Sequence, residues 1–261
     1  MALNTKIIVV IPARYDSTRF PGKVLAKETG KYLIQHTYEQ ACKAKLPQKV
    51  IIAADDEKII QAARSFGADC VMTSKDCASG TDRIAQAATD IDTDIIINVQ
   101  ADEPEIDPEN IDILARLLID NPESPMATLL AEFESAEQIS NPNIVKVITN
   151  IENRASSIEA RRAIYFSRSA IPYDREKSGI GDKSNYLRHL GIYAYRKEFL
   201  LNITKLPQSP LEKIEKLEQL RVIENGYSIL AAKVKHTCDG IDTPQQHKEF
   251  VKRYREHGGD E

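Results

Sequence analysis

The chain reads as an α/β protein: a doubly wound, mostly parallel sheet in its first half, with an antiparallel extension from its second. Three observations predict this. Short apolar runs rich in Ile and Val recur at 7–11 (IIVVI), 49–54 (KVIIAA) and 94–99 (DIIINV), each too short for a core helix. Helical patterns separate them, and strand–helix alternation of this kind lays parallel strands under covering helices. Beyond residue 125 the alternation loosens, and strand-like runs at 126–131, 145–148, 163–167, 190–195 and 227–234 follow one another.

The elements follow in order. Residues 7–11 form the first buried strand. A helix is expected over 32–44, with Leu33, Thr37 and Ala41 on one face. After the strand at 49–54, Asp55 or Asp56 offers an N-cap for a helix that ends at Gly67. A short strand at 69–72 precedes a helix over 81–88, opened by Ser79-Gly80-Thr81. Asp107-Pro108 caps a helix over 109–119. In the second half, 168–186 is polar and rich in Pro and Gly, as a loop or an excursion from the core would be. Residues 211–224 read as one amphipathic helix with Leu211, Ile214, Leu217 and Leu220 as its apolar stripe, stopped by Asn225-Gly226. Thr243-Pro244 opens a terminal helix.

At 261 residues, 42% apolar and 28% charged, the chain suits one domain, with halves at 1–125 and 126–261. The formal net charge of −4 excludes a general nucleic-acid binder. Cys42, Cys70, Cys77 and Cys238 show no CxxC spacing, so free thiols of a reducing compartment are expected and a structural zinc site is not. No apolar run approaches the ~20 residues that span a bilayer, and no leader pattern precedes the first strand. A cytoplasmic protein with no membrane partner is the expectation.

The most informative segment is the loop after the first strand, with Arg14, Ser17, Arg19, Gly22 and Lys23. A basic, glycine-bearing loop at the carboxyl end of a first strand is where open α/β sheets take phosphorylated ligands. It is neither a Walker A loop, which needs Gly at Ser17 and Ser or Thr at Val24, nor a GxGxxG turn. Gln100-Ala101-Asp102-Glu103-Pro104 follows the strand at 94–99 and reaches the same sheet edge. A carboxylate beside phosphates repels them unless a divalent cation intervenes, and Mg²⁺ favours one or two carboxylates plus phosphate oxygens. Asp102 is the better ligand, since Asp107 serves as a cap. Asp242 is a second candidate, although the segment 240–244 (GIDTP) also reads as a simple capped helix start. Ser79-Gly80-Thr81-Asp82-Arg83 suits either a helix cap or a backbone cradle for a base or anion. Arg168, His189, Tyr193 and Tyr195 suit a polar pocket, while Glu218 and Gln219 face either a site or solvent. His189 has no Ser or Cys partner, and GxSxG is absent, so acyl transfer is unsupported.

Together, IPARYDSTRFPGK, SGTDR, NVQADEP, NPNIVKV, YFSRSAIP, HLGIYAYR, LEKIEKLEQLR and GIDTP resemble the 3-deoxy-manno-octulosonate cytidylyltransferases, or CMP-KDO synthetases, in the family's order and over nearly the whole chain. The resemblance implies a nucleotide-diphospho-sugar transferase-like fold, with CTP and KDO as substrates and CMP-KDO and pyrophosphate as products. It also implies Mg²⁺ as cofactor, a homodimer formed through the extension around 165–173, and a role in lipopolysaccharide synthesis. Carried over, Ala13, Arg14, Ser17, Arg19, Lys23, Ser79 and Gly80 hold CTP, Asp102 and Asp242 bind Mg²⁺, and Lys23, Arg14 and Asp102 act in catalysis. Arg83, Gln100, Arg168, His189, Tyr193, Glu218 and Gln219 surround the sugar. Two features depart from the pattern. Ala101 stands where the family usually has Gly, which permits positive φ and close ligand approach. The 148–164 stretch is longer than expected and carries Arg154, Arg161 and Arg162. An amino-substituted KDO analogue or a sialic acid therefore remains an alternative acceptor.

Overall fold

The structure, a computed structural model, describes residues 5–17, 20–150, 159–237 and 239–257. In chain order the elements are β1 (Ile7–Ala13), a 3₁₀ turn (Lys23–Leu25), α1 (Leu33–Ala41), β2 (Lys49–Ala54), α2 (Glu57–Ser65), β3 (Asp69–Met72), α3 (Gly80–Ala88), β4 (Ile95–Asn98) and α4 (Pro108–Asp120). There follow β5 (Met126–Glu132), α5 (Ala136–Ser140), β6 (Lys146–Thr149), β7 (Ala160–Ser167), β8 (Leu187–Arg196), α6 (Lys197–Ile203), α7 (Pro210–Glu215), α8 (Gln219–Glu224), β9 (Ile229–Lys233) and α9 (Pro244–Glu256). The contacts divide the chain into two compact units, 6–111 with the C-terminal stretch from 238, and chiefly 112–237. The first boundary falls at 111/112, against an expected 125/126, and the stretch from 238 groups with the N-terminal strands.

In the first unit β3-β2-β1-β4 form a parallel sheet. The chain winds outward from β1 in one direction through β2 and β3, then crosses to the other side of β1 for β4. That reversal beside β1 is the switch point at which α/β sheets bind ligands. Every residue of β1 and β4 is buried, as expected for strands covered on both faces. Caps read from the sequence form as expected. Asp56 accepts from the Lys58 N–H, Ser79 from the Asp82 N–H and Asp107 from the Glu109 N–H. The α9 start is a reciprocal capping box of Thr243 and Gln246 with Pro244 in the first turn. Leu33, Ile241, Phe250 and Val251 form a buried cluster with Tyr254 against it, tying α9 to α1.

In the second unit the strand order is β8-β5-β9-β7-β6. Pairing is antiparallel except between β5 and β9, so the predicted antiparallel extension is present. One further pair, Lys146↔Arg188, joins β6 back to β8. Two short helices, α5 and α6, were not predicted, since five to seven residues carry too little periodicity.

The predicted single helix over 211–224 is corrected to two, α7 and α8. Lys216 turns left-handed at φ 54° and breaks it. The Arg168 guanidinium sits at the break: it donates to the carbonyls of Glu215 (2.7 Å) and Lys216 (3.3 Å), acceptors a continuous helix would use, and to that of Pro142 (3.0 Å). The break also disrupts the apolar stripe, leaving Leu217 and Leu220 buried but Ile214 77% exposed. Across it, Arg221 makes a bidentate pair with the buried Glu212, at 2.8 and 2.6 Å. Removing one partner of a buried pair strands the other charge. Arg221→Ala should therefore lower unfolding free energy by about 3–5 kcal/mol, read as a shift in urea midpoint at unchanged slope.

Candidate active site

The basic loop leaves β1 and doubles back. Gly22, at φ 67°, donates its N–H to the Tyr15 carbonyl (3.3 Å) and starts the 3₁₀ turn that carries Lys23. A side chain at that left-handed position would be strained. After β4, Asp102 lies on the loop predicted for it, and the Ile241 N–H donates to its carbonyl (2.8 Å). That bond joins residues far apart in sequence and sets Asp242 beside Asp102. Gly240 packs there too, its Cβ position 3.6 Å from Asp102 Oδ1.

Lys23 Nζ stands between the two acids. It donates to Asp102 Oδ2 in a short ion pair, to Asp242 Oδ1 at 2.9 Å and to the Ile241 carbonyl at 2.9 Å. The capped-helix reading of 240–244 holds, with Thr243 as the cap, and the Asp242 carboxylate pairs with Lys23. Two hard oxygen donors converging on one positive charge are the donor set that a divalent cation takes together with phosphate oxygens. Among the described residues no three His, Cys, Asp or Glu side chains gather into a larger metal group. The pair therefore fits a Mg²⁺ completed by substrate oxygens. Arg14 is exposed and has no acidic partner among the described residues, and Ser17 is half-buried nearby in sequence. Arg19 lies outside the described residues.

Two arginines expected around the substrate have internal roles instead. Arg83 is 4% exposed and donates to Thr73 Oγ1 (2.6 Å), the Ser74 carbonyl (3.2 Å) and Asp55 Oδ2 (2.9 Å). Asp55 Oδ1 in turn accepts the Tyr15 N–H at 2.9 Å. Arg83 thus braces the start of the basic loop through Asp55, a link the sequence did not suggest because Asp55 looked like a cap. Arg168 is the clasp at the α7–α8 break. The Ser79 hydroxyl serves the α3 cap, and Gly80 lies against the Pro12 ring, 3.5 Å from its Cβ position. Gln100 is half-buried, with Nε2 3.5 Å from Asn98 Oδ1. Ala101 departs from the family's glycine without strain: among the described non-glycine residues only Ser178 and Lys216 have positive φ.

His189, Tyr193, Glu218 and Gln219 belong, with Arg168, to the second unit. Four strand residues ordinarily span about 13 Å, yet the His189 and Tyr193 rings are 5.4 Å apart. A bulge brings them together, because Thr128 pairs with Tyr193 while Leu129 pairs with Leu190. His189 is buried, edge-on to Phe166 at 4.9 Å. Burial, with a smaller effect from Arg188, pushes its pKa down to about 3. Gln219 is 5% exposed, and its buried Nε2 has no hydrogen-bond partner among the described residues. Glu218 is exposed at the start of α8.

The cytidylyltransferase family profile matches residues 8–231. A 3-deoxy-manno-octulosonate cytidylyltransferase of Solibacter usitatus is 46% identical over 240 residues, covering 92% of this chain and 91% of that protein. One from Francisella tularensis subsp. novicida is 48% identical over 246 residues, covering 92% and 94%. The chain belongs to the 3-deoxy-manno-octulosonate cytidylyltransferase family. A solved CMP:2-keto-3-deoxy-manno-octonic acid synthetase complexed with CTP matches at TM-score 0.87 and 40% identity, over 97% of this chain and 100% of that one. A Leptospira borgpetersenii cytidylyltransferase, at TM-score 0.62 and 16% identity over 97% and 88%, shares the fold. The family assignment agrees with the resemblance read from the motifs.

His189 also makes a stability prediction. Its pKa is about 3 folded against an ordinary 6.5. Between these values the unfolded chain takes up a proton that the folded chain does not. The group's contribution is thus fully present above about pH 6.5 and declines as pH falls toward about 3. Unfolding free energy should drop more between about pH 7 and about pH 5 in the wild type than in His189→Gln, measured by denaturant titration.

Proposed function

We propose that this chain transfers CMP from CTP to the anomeric hydroxyl of 3-deoxy-D-manno-octulosonate, forming CMP-KDO and releasing pyrophosphate, as lipopolysaccharide synthesis requires. The observation that carries this reading is the convergence of Lys23 on Asp102 and Asp242 beside the switch point of the parallel sheet. In the reaction the sugar oxygen bonds to the α-phosphorus, the bond to the β-phosphate breaks, and pyrophosphate takes the electron pair. Such transfers depend on positioning and charge stabilisation more than on covalent participation by protein.

Arg14 and Lys23 are the cations of the basic loop, with Ala13 and Ser17 on the same turn. They bind the triphosphate and offset charge that builds on the α-phosphate and the leaving group. Ser79 and Gly80 line the nucleoside side from the α3 start. Asp102 and Asp242 hold Mg²⁺ when it is bound, which neutralises phosphate charge and acidifies the attacking hydroxyl. Arg83 acts behind the loop, through Asp55, to fix the backbone at Tyr15. His189, Tyr193, Glu218 and Gln219, all of the second unit, orient the sugar.

Asp102→Asn and Lys23→Ala should each lower kcat by roughly 10²–10³ while leaving the folded state intact by circular dichroism. A near-normal kcat in either variant removes its assigned role. A pyrophosphate-release assay offering CTP with KDO and with an 8-amino analogue tests the acceptor, and turnover only with a sugar 1-phosphate would overturn the reading.

A homodimer is part of the same proposal. Ile164 (52%), Tyr173 (69%) and Ile214 (77%) are large apolar side chains left exposed in the second unit, a pattern that suits a partner surface. Light scattering should give twice the chain mass for the wild type and the single-chain mass for Tyr173→Glu.

A further inference from the structure

The β8 bulge leaves two carbonyls facing one hydroxyl. Thr128 is fully buried on β5, and its Oγ1 lies 3.1 Å from the Leu190 carbonyl, 2.9 Å from the Ile192 carbonyl and 3.0 Å from His189 Nε2. A threonine hydroxyl carries one proton. Both carbonyls only accept, so if that proton went to His189, two oxygens would face Oγ1 with nothing between them. The satisfied arrangement sends the hydroxyl proton to the carbonyls, and His189 then donates Nε2–H to Oγ1. The imidazole is neutral at ordinary pH, so its other nitrogen, Nδ1, carries a lone pair. No hydrogen bond to Nδ1 occurs among the described residues; His189 is 8% exposed, and its ring lies 5.4 Å from that of Tyr193.

We infer that Thr128 is a positioning residue that locks His189 in its Nε2–H tautomer, so that Nδ1 is presented as a hydrogen-bond acceptor to a hydroxyl of the sugar substrate. This rests on the proposed function for the identity of the ligand, but the tautomer does not. The bulge has a clear logic in these terms. It brings the two rings together, and the bulge's own carbonyls consume the threonine proton, which obliges the histidine to donate.

The test has two arms. In ¹⁵N-resolved NMR of the wild type near neutral pH, His189 should show a protonated Nε2 and an unprotonated Nδ1. Saturating KDO should shift the Nδ1 resonance and leave Nε2 protonated. A wild type with Nδ1–H, or one in which KDO leaves Nδ1 unmoved, overturns the inference. In kinetics, Thr128→Val keeps the shape of the side chain and removes the hydroxyl. It should raise KM for KDO roughly tenfold, the size of one neutral hydrogen bond, with KM for CTP unchanged. Thr128→Ser, which restores the hydroxyl, should return KM for KDO to near the wild-type value and also guards against a folding failure of the valine variant. Equal KM for KDO in all three proteins, or a rise of KM for CTP in step with that for KDO, overturns the role. If the wild type does not turn over KDO at all, the proposed function fails, while the NMR tautomer of the unliganded protein still decides the lock.

Discussion

Two carboxylates set side by side in a half-buried loop repel each other, by about 4 kcal/mol at 4 Å and an effective dielectric of about 20. A cation between its members offsets that repulsion. In this chain the cation is Lys23, and the geometry of the site depends on that one ammonium. The Ile241 N–H bonded to the Asp102 carbonyl draws the C-terminal segment to the β4 loop, and Lys23 makes the resulting approach of Asp102 and Asp242 tolerable. The same arrangement underlies the proposed chemistry, because two acids that accept one positive charge form a donor set suited to a divalent cation.

Within each unit, polar groups inside the fold do mechanical work. Asp55 links the Arg83 guanidinium to the Tyr15 N–H, so a side chain within α3 steadies the first turn of the basic loop. Arg168 binds three carbonyls and ends α7 where Lys216 turns left-handed. Lys146 is fully buried and donates to the carbonyls of Asn141 (3.1 Å), Ile144 (2.8 Å) and Arg168 (2.5 Å), and burial lowers its pKa from the ordinary lysine value. Arg168 and Lys146 are spent on backbone acceptors, and Arg83 on a carboxylate, a hydroxyl and one carbonyl. Buried donors and acceptors must be paired somewhere, and long basic side chains reach acceptors that the ladders cannot.

The β8 bulge shows how a small irregularity organises a second set of groups. Two extra residues between Leu190 and Tyr193 compress the strand. His189 and Tyr193 become neighbours, and Thr128 satisfies the carbonyls that the bulge exposes.

Much of the architecture was legible in the sequence because it rests on local periodicity. The runs at 7–11, 49–54 and 94–99 are strands, Asp56, Ser79, Asp107 and Thr243 cap helices, and the loops carrying Lys23 and Asp102 follow the strands that the pattern assigned. Segment order and motif spacing were enough to identify the family. What remained hidden depends on partners distant in sequence. Nothing near Arg83 or Arg168 shows which distant groups their guanidiniums bond, and nothing in LEKIEKLEQLR predicts a break at Lys216, where Arg168, just after β7, meets the Glu215 and Lys216 carbonyls. The chain alone therefore determined which residue types and strands could build the site. The tertiary structure decided which of them are free to meet a ligand, because hydrogen-bond satisfaction is settled between segments and only folding brings those segments together.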